Sequence, residues 1–117
     1  MASLSSDKLL RAVRYFREVL NSTQPPLQHL EMFLAVAEDE GIGQIALEKK
    51  LDSLQATTSR NIKRLSQNPV RDDDGKMVRM GHDLLEVRPT AGVFNGVYLS
   101  KHGKEVFLEI QKILGKG

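Results

Sequence analysis

Apolar residues recur along much of this chain at the spacing of one helix face. Leu9, Val13, Phe16 and Leu20 stand four, three and four positions apart, which predicts an amphipathic helix over about 6–21. Ser6 or Asp7 can cap its free amides, and Pro25-Pro26 ends it, because proline cannot continue a hydrogen-bonded helix. Pro26 suits the first turn of a second helix, which carries Leu27, Leu30, Phe33, Leu34 and Ala37 and stops at Glu38-Asp39-Glu40-Gly41. A short third helix is expected over about Gly43–Lys50, with Ile45, Leu47 and Leu51 pointing inward. Leu51-Asp52-Ser53-Leu54 then makes a tight turn, with Ser53 or Asp52 as the cap of the next helix.

The fourth helix, about 54–67, has the most informative pattern. At about 100° per residue, Leu54, Thr58, Ile62 and Leu65 share one face. Ala56, Arg60 and Lys63 lie opposite, flanked by Thr57, Ser59 and Arg64. Beyond Asn68-Pro69 the texture turns polar, and Asp74-Gly75 is a turn signal for a small hairpin between Val70 and Val78. Leu84–Arg88 and Val97–Leu99 read as short strands. Pro89–Gly92 and Asn95-Gly96 compete as the reversal between them, and a tip near 89–92 leaves the longer return strand. Ser100 caps a final helix to about 114, striped by Val106, Phe107, Ile110, Ile113 and Leu114.

The expected fold is therefore mainly α with a two-stranded β wing (α+β): a winged helix-turn-helix with extra N- and C-terminal helices. The length of 117 residues suits one domain, 1–117. With 40% hydrophobic and 27% charged residues, the composition is that of a globular chain, not a disordered tail. Cysteine is absent, which excludes disulfides, thiolate metal sites and a catalytic thiol. Met1-Ala2-Ser3-Leu4 lacks the order of a secretory signal. No apolar run reaches the roughly 18 residues of a membrane span. The expected location is cytoplasmic, with no membrane partner.

Charge sharpens the fourth helix. The net charge of +2 conceals segregation: residues 23–41 carry −4 and residues 42–67 carry +3. No acid occurs from Ser53 to Gln67, while Arg60, Lys63 and Arg64 do. A polyanion responds to that local concentration more than to the total. The expected partner is double-stranded DNA, with this helix in the major groove. Arg60 can pair with guanine and Gln55 with adenine. Thr57 and Ser59 would lie against phosphate or thymine methyl groups, with Thr58 either beside them or in the core, and Ala56 belongs to the same DNA-facing surface. Lys49, Lys50, Lys63 and Arg64 would position on phosphate, and Arg88 is the one base of the wing. The apolar stripes Leu9, Val13, Phe16, Leu20 and Phe107, Ile110, Ile113, Leu114 read as core or as the joint of a homodimer matching a pseudo-palindromic site.

Other chemistry finds little support. His29, His82 and His102 are far apart in the sequence, so no zinc site is expected. Asp72-Asp73-Asp74-Gly75 lacks the alternation and the closing glutamate of a calcium loop. No glycine-rich phosphate loop or nucleophile motif is present, so no enzyme activity and no cofactor are expected. The rival reading is a winged-helix protein-interaction module without a specific DNA site, built on Val93 and Phe94 as an apolar contact.

Leu47-Glu48-Lys49-Lys50-Leu51-Asp52-Ser53-Leu54-Gln55-Ala56-Thr57-Thr58-Ser59-Arg60-Asn61-Ile62-Lys63-Arg64-Leu65 resembles the helix-turn-helix of the MarR family of transcriptional regulators. Tyr98-Leu99-Ser100-Lys101-His102-Gly103-Lys104 resembles the start of that family's last helix. The resemblance implies a repressor-like regulator: a dimer joined by its first and last helices, with helix four in the major groove and the wing against the minor groove or backbone. It leaves room for a small-molecule effector, to which no polar constellation here points. The chain departs from the family at the wing, which lacks the aspartate-x-arginine pair. It departs again at Ser53, where leucine is common and Leu54 stands adjacent, and at the lengthened 68–83 link, which looks like that of small phage-encoded relatives.

Overall fold

A computed structural model describes residues 5–22, 24–89 and 95–115. The chain is α+β, with helices α1 (Ser6–Val19), α2 (Leu27–Glu38), α3 (Gln44–Leu51) and α4 (Gln55–Leu65), strands β1 (Asn68–Arg71), β2 (Met77–Met80), β3 (Leu85–Pro89) and β4 (Asn95–Leu99), and helix α5 (Lys101–Ile113). Two antiparallel hairpins, β1–β2 and β3–β4, are separate sheets. No described helix is long and apolar enough to cross a membrane.

The core gathers around Phe33 of α2, which is fully buried. Phe16 of α1 approaches it to 5.3 Å between ring centroids and Phe107 of α5 to 6.3 Å, distances at which tilted aromatic pairs attract beyond simple burial. Met32, Val36, Leu47, Leu65, Leu84, Leu85 and Val106 complete the deepest layer. Each such side chain contributes about 1.5–3 kcal/mol of transfer free energy. On α2 the inward face is His29, Met32, Phe33 and Val36, a spacing of three, one and three. Leu27 and Leu34 of the same helix are exposed.

Three expectations about orientation fail for identifiable reasons. Ile45 is 70% exposed while Leu47 is buried. Two positions apart on a helix is about 200° of rotation, so the pair cannot share a face. Leu54 is 78% exposed because it is the extended residue before α4 (φ −74°, ψ 153°) and lies off the helical wheel. Neither Ser53 nor Asp52 caps α4 through its side chain. Asp52 closes α3 in the left-handed conformation (φ 50°), its N–H donating to the carbonyls of Glu48 and Lys49. Ser53 accepts a 3.0 Å hydrogen bond from the hydroxyl of Thr58, which ties the turn to the first turn of α4.

The apolar stripes of the terminal helices also divide. Phe16, Leu20 and Ile110 are buried in the core of the single chain, so they present no surface to a second copy. Phe107, Ile113 and Leu114 are partly buried against that core. Leu9 and Val13 stay exposed, joined by Leu10, and Leu108 of α5 is exposed as well.

Both hairpins are stitched to the helices by backbone. In β1–β2, Val70 faces Val78 around the Asp72–Lys76 turn, where the Asp72 carboxylate accepts from the N–H groups of Asp74 and Lys76. In β3–β4, Leu85 pairs with Leu99 and Pro89 with Asn95. Asn95-Gly96 thus lies inside β4 and is not the reversal; Pro89 of the expected 89–92 tip ends β3, while residues 90–92 of it, and Val93 and Phe94, fall outside the described residues. Ile42, ahead of α3, bridges to Val97, and Ser66, after α4, bridges to Leu85. The β3–β4 hairpin is therefore pinned on one side by the loop before α3 and on the other by the end of α4. Ser100 caps α5 by accepting from Gly103 N–H, and its hydroxyl donates to the Asp83 carbonyl.

Candidate nucleic-acid interface

The α3–turn–α4 unit presents one face of α4 outward. Thr58, Asn61, Ile62 and Leu65 are buried, so Thr58 is a core residue. The opposite arc carries Ala56, Arg60, Lys63 and Arg64, all exposed, with Ser59 and Thr57 half-buried at its margins and Gln55 exposed at the leading end. Every α4 residue expected from the sequence to meet DNA, Thr58 aside, is thus solvent-accessible. Among the described residues neither Arg60 nor Arg64 is in an ion pair. The helix holds no acid, so no carboxylate along it repels a phosphate.

The flanking bases are more constrained. Lys49 is exposed near the end of α3. Lys50 is exposed too, but its Nζ lies 3.1 Å from Glu38 Oε1 at the end of α2. That pair is solvent-accessible and therefore weak, so Lys50 can exchange its carboxylate for a phosphate at small cost. Arg88 on β3 has its Nε 3.4 Å from Glu86 Oε1 and its guanidinium 3.9 Å over the Tyr98 ring. The stack fixes the direction of the side chain along the hairpin.

Two clefts border the exposed ridge of α4, one against each hairpin. The first, about 520 Å³, lies between α4 and β3–β4 and includes Ser59, Lys63, Gln67, Arg79, Glu86 and Asn95. The second, about 720 Å³, is bounded by Arg60, Lys63 and Arg64 of α4, His29 of α2, and Val70, Met80, Gly81 and His82. Lys63 belongs to both and sits on the crest between them. Gly81 lets the chain after β2 approach the end of α4 closely: its φ of +113° is a conformation that other residues rarely adopt, and a Cβ there would collide with the Ser66 carbonyl. The next residue, His82, donates its N–H to the Arg64 carbonyl at 3.0 Å, and Leu84 donates to Leu65 at 2.7 Å. The chain after β2 therefore satisfies the last carbonyls of α4 and holds the β1–β2 hairpin beside the basic face.

The cleft brings together residues that the sequence keeps apart. His29 and His82 approach to 6.5 Å between ring centroids, so separation along the chain is not separation in space. His29 is 4% exposed, and its Nδ1 is buried with no hydrogen-bond partner among the described residues. Burial lowers the pKa of His29 most. Hydrogen bonding to Asn61 partly offsets this, while the neighbouring His82 and Arg64 lower it further. Burial lowers His82 as well. No group of three or more histidine, aspartate or glutamate side chains that could hold a metal ion occurs among the described residues.

The chain matches no protein-family model and no curated protein.

Proposed function

We propose that this chain is a winged-helix protein that binds double-stranded DNA sequence-specifically and regulates transcription, most simply as a homodimeric repressor. The observation that carries the reading is the outward face of α4, where Arg60, Lys63 and Arg64 stand together on a helix without an acid. The buried face of that helix is anchored by Thr58, Ile62 and Leu65, so the cations are presented by a rigid element. An α-helix of this kind fits the major groove, and the turn from α3 positions its leading end, with Gln55, Ala56, Thr57 and Ser59, toward base edges.

In this reading β3–β4 is the wing and Arg88 its base, steadied on Tyr98. The chain acts as one domain, with α1 and α5 extending the helical layer. The exposed Leu9, Leu10 and Val13 of α1 and Leu108 of α5 would form the dimer contact in place of Phe16, Leu20 and Ile110. The resemblance of residues 47–65 and 98–104 to MarR-type regulators supports the same reading. Selection of bound duplexes from a random library, followed by binding at increasing salt, tests it. An enriched site bound with a steep salt dependence is expected; no enrichment and no salt dependence would refute it.

A further inference from the structure

The cleft between α2, α4 and the β2–β3 connection has a composition that the DNA reading does not by itself require. Five side chains able to donate to an oxyanion converge on it: Arg60, Lys63 and Arg64 from α4, His29 from α2, and His82 after β2. No acidic residue is among the described residues lining it. Asp83, the carboxylate nearest in the chain to the pair, lines the opposite cleft. The remaining wall, Val70, Met80 and Gly81, offers no acceptor side chain to compete for these donors.

In the unbound chain the pair is arranged to stay neutral. His29 is buried, its Nδ1 has no partner among the described residues, and the charged groups facing it are cations or the other histidine: Arg64 of α4 and His82. Arg60 and Lys63 border the same space. A phosphate in the cleft offsets the field of these cations on both rings and so favours their protonated form.

We propose that this cleft is a phosphate subsite: it takes a backbone phosphate of a bound duplex, hydrogen-bonded by His82 and Arg64, and the His29–His82 pair takes up a proton as the phosphate enters. The proposal rests on the DNA reading above and adds to it a second function for α4, which grips phosphate on its hairpin side while its crest faces the groove. Because a proton is taken up, binding tightens as the pH falls through the region at and below about 6.5, the ordinary histidine value.

Calorimetric titration of the full chain with a mixed-sequence duplex of about 30 base pairs at low salt tests this, since phosphate contacts also operate in non-specific binding. Run in two buffers of different ionisation enthalpy, it reads proton uptake directly. Net uptake is expected, with affinity rising by up to about tenfold per pH unit, the limit for one proton. His82→Gln should still bind, but with uptake and pH dependence reduced, since only one ring of the pair remains. Arg64→Gln, which leaves both rings in place, should weaken binding and reduce the uptake. Wild-type binding without uptake, or unchanged uptake in His82→Gln, would overturn the subsite while leaving the DNA reading intact. No duplex binding by the wild type would overturn both. A parallel titration with inorganic phosphate, followed through the histidine ring resonances, should move them far less than the duplex does. Equal shifts with phosphate alone would overturn the duplex assignment in favour of a free-oxyanion site.

Discussion

The hydroxyl of Thr58 donates to the hydroxyl of Ser53 across 3.0 Å, linking the turn after α3 to the buried face of α4. Thr58 is fully buried and Ser53 half-buried, so the bond is partly shielded from competing water. Thr58→Val keeps the shape and removes the donor. The expected cost is about 1 kcal/mol, read as a fall of roughly 4–8 °C in Tm. An unchanged Tm would show that the turn is held by packing alone.

Gly81→Ala should be far more costly than Gly75→Ala. Both glycines have positive φ, but a Cβ at Gly75 meets nothing within 4 Å, whereas at Gly81 it collides with the Ser66 carbonyl. Gly75→Ala carries only the backbone strain, about 1 kcal/mol. Gly81→Ala must also displace the segment that caps α4, with an expected loss above about 2 kcal/mol. Urea unfolding of the two variants gives the comparison directly, and equal midpoints would count against the close approach.

The histidine pair makes stability depend on pH in a defined direction. Burial holds His29 below its ordinary value of 6.5, so the unfolded chain binds the proton first. The stability tied to the neutral ring is complete above about pH 6.5 and is lost as the pH falls below it. Tm measured at about pH 7.5 and 5.5 should fall more for the wild type than for His29→Gln or His82→Gln. A parallel fall in all three would assign the acid sensitivity to other groups.

Exposed Leu9, Leu10 and Val13 predict self-association. Light scattering should give a mass near twice 13.1 kDa for the wild type, and Val13→Glu should shift it to that of one chain. Val13 is 41% exposed, so the substitution leaves the core intact. A wild-type mass of a single chain would remove the dimer from the account.

Much of this architecture can be read from the residues, and the failures share a cause. The β1–β2 hairpin follows from Asp74-Gly75, with Val70 opposite Val78 as expected, and Ser100 caps α5 as its position suggests. Local rules suffice there because turn and cap chemistry act within a few residues. The outward arc of α4 follows from helical rotation alone. Leu54 and Ile45 mislead because apolar character alone does not turn a side chain inward: one residue is not helical, and the other lies about 200° from its neighbour Leu47. The terminal stripes cannot be divided between core and surface without knowing that Phe16 and Phe107 both meet Phe33. The His29–His82 pair is invisible in the sequence for the same reason, since only tertiary packing brings α2 against the end of β2. Its faint local sign is Gly81, a glycine placed immediately before one of the two rings.

The central claim, that the exposed face of α4 is a DNA-binding surface, meets its most direct test in duplex binding measured by fluorescence anisotropy over a range of salt for the wild type, Arg60→Ala and Lys63→Ala. The account predicts a linear fall of log K with log salt, at about 0.9 per phosphate neutralised. Arg60→Ala should lose about 1–3 kcal/mol of discrimination at one position of the selected site, and Lys63→Ala should weaken all sequences alike with a shallower slope. Binding that is absent, or insensitive to salt and to both substitutions, would contradict it.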